Sequence, residues 1–411
     1  MALPVLDLKA PAFWQDPAGV LARLREESPV ALSHDGTKVL LRHADVERML
    51  LSGKFENEGA TLLARRGFRP GDALYDFRRK ALGALNGPDH VRIRSLAGKA
   101  LGPRYVEYVR GAVERRLPGI LAPHLDRICE VIPAVTARLP LEVIGEYLGI
   151  DEADRSRVDG LVREGQAKAF GREVTPEIVT RANEIFADLV AFVGDQVRER
   201  RMRPRNDALA NLLAAEEQGR KLSQDEVIVL FLNLFIGAVE STASSMASGL
   251  LLLSQYPGVL EVLRQDPQSV NAFVEENLRL FPPNTLIANK VAKEDLSFCG
   301  VPFARGEGVI VATPAPNRDP GAFANPDLLD LKRPPTRHFT FSLGQHFCLG
   351  QALARAQLQS FFCVISRVVS RVELCQEGVK WLPYAAITSM ESLRLRFTSL
   401  KPRGRLTWSD D

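Results

Sequence analysis

Cysteine is scarce in this chain. Five cysteines (Cys129, Cys299, Cys348, Cys363 and Cys375) are spread over 411 residues, an odd number with no metal-cluster spacing. That excludes a disulfide framework and fits a reducing compartment. An excess of one charge is also missing. With 53 basic against 50 acidic residues the net charge is +3, which argues against a nucleic-acid protein. There is no Gly/Ser-rich linker, repeat or low-complexity tract, so although the length would allow two or three domains, residues 1–411 read as a single domain. The start carries Asp7, Lys9 and Asp16 and no apolar core of a leader. The expectation is a cytoplasmic protein without signal peptide or membrane anchor. Only Val227 to Leu253 is apolar enough to suggest a membrane span. Asn233, Glu240 and five serines between 241 and 254 count against it, since an acid at mid-span is costly. A helix through the core of a soluble protein is the expectation.

Short strands are predicted at Val30–Leu32 and Lys38–Leu41 around an Asp35-Gly36 turn, followed by a helix over residues 44 to 51. From Glu56 to about Leu85 the pattern is irregular and rich in Gly and Arg, as functional segments often are. Helical periodicity dominates from His90 to about Tyr256. Pro204 among three arginines should end one helix. Ser223 with Glu226 is a capping-box signature for the next, Gln224 to Gln255, roughly 48 Å long at 1.5 Å per residue. Strands are expected between Leu286 and Val311, a proline-rich meander from Pro314 to Pro335, a last long helix from near Leu349 and a strand at Leu393–Phe397. The fold class is mainly α, an α+β chain with a small β-rich part.

Cys348 stands out, in Phe341-Ser342-Leu343-Gly344-Gln345-His346-Phe347-Cys348-Leu349-Gly350. It follows a glycine-bearing loop and precedes an apolar helical pattern. Backbone N–H groups and the dipole of a helix start favour a thiolate there, which suits iron ligation. Gly344 permits a tight turn, Gly350 lets the helix start approach a flat ligand closely, and Phe341 is placed to shield that ligand from water. The plainer reading is a small buried hydrophobe.

This stretch resembles the heme-binding loop of the cytochrome P450 family, with Phe341, Gly344, His346, Cys348 and Gly350 matching and Ser342 standing where Gly is commoner. Gly237-Ala238-Val239-Glu240-Ser241-Thr242 is similar to the family's oxygen-activation motif. By that resemblance Glu240 supplies protons and Ser241, followed by Thr242, orients the water that carries them. Ala238 replaces the usual Gly and Ser241 the usual Thr. Taken alone, the hydroxyls of Ser241 and Thr242 would be read as bonding back to helix carbonyls. Glu276-Asn277-Leu278-Arg279 resembles the family's Glu-x-x-Arg pair, with Arg333 as the structural third member; without the resemblance it would be a solvated i, i+3 contact. His90, Arg94 and His338 match the family's donors to the heme propionates, and Lys290 stands where an arginine is usual, a point charge in place of a fork.

The resemblance spans about Phe13 to Phe397. It implies the family's triangular, mostly helical fold, heme b (iron protoporphyrin IX) ligated by Cys348, and insertion of one oxygen atom from O2 into a small organic substrate of secondary metabolism or catabolism. The chain has no flavin or ferredoxin region, so a separate ferredoxin and its reductase are implied, docking on a patch near Arg94, Lys332, Arg337 and Arg355. A monomer is expected. Oxidative coupling or desaturation without oxygen insertion is the alternative, and a non-catalytic heme-binding protein a third. The family's substrate pocket maps onto Phe235, Val239, Leu286, Ile287 and Thr388 and onto the segment after His43. Free and carrier-protein-bound substrates both stay open. Arg65, Arg66 and Arg69 would suit an acidic substrate or a phosphopantetheine, although solvated surface charge is their plainer reading.

Overall fold

A computed structural model describes residues 3–171, 174–217, 219–382 and 387–400. Alternation within short strands builds the β-rich part. In Val30–Ser33, Lys38–Leu40 and Gly308–Ala312, successive side chains go to opposite faces. Ala31, Val39, Ile310 and Ala312 join Phe13 and Trp14 on one face. Val30, Leu40, Val309 and Val311 join Phe298 and Phe339 on the other. These strands belong to a six-stranded sheet in the order Val5–Leu6, Val30–Ser33, Lys38–Leu40, Gly308–Ala312, Leu286–Ala292, Phe55–Asn57. Its last pairing is antiparallel and sets Asn57 opposite Lys290. A second sheet joins Ile128–Glu130, Val369–Leu374 and Arg394–Ser399.

The larger core is helical. The central helix runs from Gln224 to Gln255, and both halves of its capping box form. Glu226 N–H donates to Ser223 Oγ at 3.2 Å, and Ser223 N–H donates to Glu226 Oε2 at 2.8 Å. It is the one helix among the described residues long and apolar enough to cross a membrane, and its apolar side chains pack inside the main core. Its crossing with the last long helix, Gln351–Val368, depends on a missing side chain. A Cβ added to Gly249 would stand 2.1 Å from the Phe362 ring.

Two expectations are refined. The stretch from Glu56 to Leu85 is not wholly irregular, since it holds a strand at Phe55–Asn57 and helices at Thr61–Arg65 and Ala73–Lys80. Periodicity missed the Ala73–Lys80 helix because only Leu74 and Phe77 of its side chains are buried. The helical region to Tyr256 is interrupted by Ile128–Glu130, whose partner strand lies more than 260 residues away.

Candidate functional site

The Cys348 loop is shaped by backbone geometry. Ser342 and Gly344 both have positive φ, +60° and +72°. A Cβ at Gly344 would approach Leu50 O to 2.9 Å, so only glycine suits this turn. Ser342 accepts the left-handed conformation at some cost, which is the physical reason Gly is commoner there in the family. The turn is closed by Ser342 N–H donating to Phe339 O at 2.8 Å and Cys348 N–H to Phe341 O at 2.9 Å. Cys348 then lies three residues ahead of the Gln351–Val368 helix. Its residue is exposed although it lies deep in the fold. Burial pushes the thiol pKa up, opposed by the Gly350 N–H and by the charges of Arg94 and Arg355. A Cβ built at Gly350 meets no atom within 4 Å. Phe341 is buried, with the Arg355 guanidinium 4.4 Å from its ring centroid.

Four basic side chains gather beside this loop without a carboxylate among them. His90 and Arg94 share one face of the Gly87–Ala100 helix, Lys290 comes from the sheet and His346 from the loop. The His90 and His346 rings lie 4.2 Å apart. Asn57, opposite Lys290 in the sheet, accepts from Lys290 Nζ at 2.5 Å and meets His346 Nδ1 at 2.9 Å. Arg94 donates to Phe347 O at 2.6 Å. Both ring nitrogens of His90 and Nε2 of His346 are buried without a partner. Burial lowers the His346 pKa to about 3, helped by the charges of Lys290, His90 and Arg94. Burial also lowers Lys290 to about 8 and depresses His90, with Arg94 and Lys290 adding to the effect. Buried polar groups in native proteins are almost always satisfied, so the bare ring nitrogens leave positions for a group from outside the chain. A cleft of about 510 Å³ is lined by His90, Arg94, Gly344 and Leu349.

His338 is a correction. It does not join this group, because its Nε2 meets Glu275 Oε2 at 3.1 Å, where Arg355 Nε also donates to Glu275 at 2.6 Å. Burial raises the Glu275 pKa, but hydrogen bonds from Arg355 and His338 outweigh it and pull the carboxyl down to about 2. The ring next to His90 is that of His346, a pairing that helix and loop spacing alone do not show. Asn57 and Glu275 escaped sequence reasoning. Asn57 carries no motif, whereas the doubled acid Glu275-Glu276 was a usable signal.

On the central helix, Gly237 is exposed and Glu240 and Ser241 are half-buried. A Cβ at Gly237 meets nothing within 4 Å. Ser241 Oγ donates to Gly237 O at 2.6 Å, the back-bond expected of a helical serine, while Thr242 is buried. Glu240 lies 4.0 Å from Arg163 Nη1 of the Glu152–Phe170 helix, and Arg163 Nε also donates to Asp159 at 2.8 Å. Burial raises the Glu240 pKa, opposed by Arg163 and assisted by Asp159.

The open face of this helix corrects the pocket residues. Phe235 and Val239 are 0% and 2% exposed and belong to the main core. At 100° per residue they point away from Gly237 and Ser241. Leu286 is half-buried. Thr388 accepts from Ser244 Oγ and its N–H donates to Pro283 O at 2.6 Å, tying it to the central helix. The side chain of Ile287 lies outside the described residues.

Glu276, Arg279 and Arg333 come together. Arg279 donates twice to Glu276, at 2.7 and 2.9 Å, and Arg333 Nε donates to it at 3.0 Å. Arg279 also donates to Asn317 O and Pro326 O. Asn317 accepts from Phe339 N–H at 2.8 Å, so the triad braces the strand of chain that enters the Cys348 loop. Of the expected docking patch, Arg94 and Arg355 are committed to these inner contacts, and exposed Arg337 pairs with Glu47 at 2.6 Å. Lys332 is exposed.

A thiol at a helix start, open space at Gly350 and Gly237, and a carboxylate-free group of basic side chains fit an iron porphyrin with two propionates. The fold is that of the heme-thiolate oxidoreductases. Residues 172–386 match the family model for cytochrome P450. The polyketide biosynthesis cytochrome P450 PksS of Bacillus subtilis is 30% identical over 93% of this chain and 96% of its own length. The mycinamicin IV hydroxylase/epoxidase of Micromonospora griseorubida is 30% identical over 83% of this chain and 85% of its own. A crystal structure of P450BioI in complex with hexadec-9Z-enoic acid ligated acyl carrier protein shares the fold with a TM-score of 0.86 at 26% identity, covering 94% of this chain and all of that one. The chain belongs to the cytochrome P450 family and is an oxidoreductase of its monooxygenase class.

Proposed function

We propose that the chain is a single-domain, cytoplasmic monooxygenase that inserts one oxygen atom from O2 into a small organic substrate, with heme b held by Cys348 and electrons from a ferredoxin and its reductase. The observation that carries this is the exposed Cys348 thiol at a helix start beside four basic side chains with no carboxylate among them, two of them histidines with unpartnered ring nitrogens. When bound, heme supplies the thiolate-ligated iron at which dioxygen chemistry takes place. Cys348 serves as the ligand, with the Gly350 N–H and Arg94 easing its ionisation. His90, Arg94, Lys290 and His346 receive the propionates, with Asn57 orienting the last two. Glu276, Arg279 and Arg333 hold the meander beneath the loop.

Glu240 is the acid of the relay, its pKa raised by burial against the pull of Arg163, and Arg163 steadies the carboxyl. Ser241 gives up its bond to Gly237 O when it orients water. Thr242, buried in the helix, stands behind it. Substrate lies against the open stretch of the central helix, near Leu286 and Thr388.

The ferrous protein with carbon monoxide should show the red-shifted Soret band of thiolate ligation, and Cys348→Ser should lose it. An imidazole-type spectrum in the unaltered protein overturns the proposal. Ser241→Ala should raise the share of electrons lost as hydrogen peroxide, measured as product per NADPH; an unchanged ratio removes Ser241 from the relay.

A further inference from the structure

Between residues 58 and 80 nearly every cation is engaged. Arg65 lies 2.5 Å from Glu58 Oε1, Arg66 donates to Gly171 O, Arg79 lies 3.7 Å from Asp76, and Lys80 donates to Asp225 at 2.7 Å. The arginines that looked suited to an acidic substrate, Arg65, Arg66 and Arg69, are therefore bonded, Arg69 to Ala64 O at 3.5 Å. Arg78 is the exception. It has no hydrogen bond or ion pair among the described residues, and Glu58 is the one charge that acts on it.

Its position makes that notable. Arg78 stands one helical turn after Leu74 and beside Phe77, on the inward side of the Ala73–Lys80 helix. Phe77 packs 5.1 Å from Phe186, and Leu74 N–H donates to Asn183 Oδ1 at 3.2 Å, both on the Pro176–Met202 helix. Just beyond, Leu82 N–H donates to Asn233 Oδ1 at 3.0 Å. Asn233 lies one turn before Gly237 on the central helix. The turn bearing Arg78 is thus pinned beside the open stretch of that helix. Arg78 is only half-buried, yet burial lowers its pKa, with Glu58 alone pulling the other way. Glu58 is already held by Arg65.

We propose that Arg78 is the specificity-determining anchor of the substrate, receiving the carboxylate of an acid with an apolar body that extends toward Gly237 and Ser241. The inference rests on the monooxygenase reading given above. A guanidinium cannot shed its charge and offers a planar fork matched to a carboxylate. A half-buried arginine that holds no hydrogen bond gains a charge-assisted pair when such an anion arrives. An acyl thioester on a carrier protein has no carboxylate at this point and would not use Arg78.

The test is calorimetric titration of the holoprotein at neutral pH with three acid and methyl ester pairs: dodecanoic, 4-phenylbutanoic and cyclohexylacetic. At least one acid should bind about tenfold or more tightly than its ester, the size of one charge-assisted hydrogen bond. Arg78→Gln should erase that preference by weakening the acid and sparing the ester. Arg78→Lys should retain a reduced preference. No discrimination in the unaltered protein, or full discrimination in Arg78→Gln, overturns the proposal. If Arg78→Gln fails to fold, Arg78→Lys decides, and an undiminished preference in it overturns the proposal. A missing thiolate band with carbon monoxide would sink the heme reading while leaving the calorimetric preference to be judged on its own.

Discussion

Two groups of cations touch the Cys348 loop, and they differ in whether their charge is balanced. On one side, the adjacent acids Glu275 and Glu276 collect Arg279, Arg333, Arg355 and His338. Every member has a partner; Glu276 and Arg279 are buried, and the Arg333 side chain is largely covered. On the other side, His90, Arg94, Lys290 and His346 gather with no acid, and three ring nitrogens are left bare. The lesson is functional. A complete network holds structure, because removing any member leaves a stranded charge. An incomplete one is stabilised only when something outside the chain completes it.

The largest expected effect is on the complete side. Glu276→Gln leaves Arg279 and Arg333 buried without their counter-ion, so denaturant unfolding should show a loss of about 3–5 kcal/mol. A change below about 1 kcal/mol would erase the contrast between the two groups.

On the incomplete side the same kind of change should act on the cofactor instead. Lys290→Met should release heme about tenfold faster, the loss of one charged hydrogen bond, measured by transfer to apomyoglobin. The apoprotein should be no less stable than the unaltered one, since a desolvated cation has been removed. A destabilised apoprotein would place Lys290 in the structural group.

The two groups also carry distinct pH signatures, in different windows and from different causes. Glu275 has a folded pKa near 2, below its unfolded value of about 4.3. Its contribution is present above that unfolded value and lost as pH falls toward 2. It is partly exposed, so the effect is modest, and Glu275→Gln should flatten stability over that window. Lys290 has a folded pKa near 8, below its unfolded value of about 10.4. Its charge opposes folding of the apoprotein below pH 8, and that penalty fades as pH rises toward about 10.4. Heme binding should abolish the Lys290 trend, read as denaturation midpoint against pH.

The smallest effect concerns the loop between the groups. Ser342→Gly relieves a positive φ and should stabilise the protein by about 1 kcal/mol, without moving the carbon monoxide band. A shifted band would show that the serine side chain shapes the thiolate environment.

Much of this was legible in the sequence because it depends on local order. The Cys348 loop, the Ser223–Glu226 cap, the Glu276–Arg279 pair and the Gly237–Thr242 stretch each need only a few neighbouring residues to be recognised. So did the ends of the central helix, which matched Gln224 and Gln255. The pocket residues Phe235 and Val239 were misplaced because residue type does not tell which face of an apolar helix lies open. His338 was misassigned because its partner, Glu275, is 63 residues away.

The sequence by itself therefore determined the family, the thiolate candidate and the helical frame, all of them consequences of short-range spacing and hydrophobic period. Only the tertiary structure decided which charges are balanced. It set Asn57 against Lys290 and His346 across 233 and 289 residues, gave Glu275 to Arg355 and His338, and left Arg78 without a partner. Coulomb energy and desolvation depend on distance and burial in space, and neither is encoded in the order of residues along the chain.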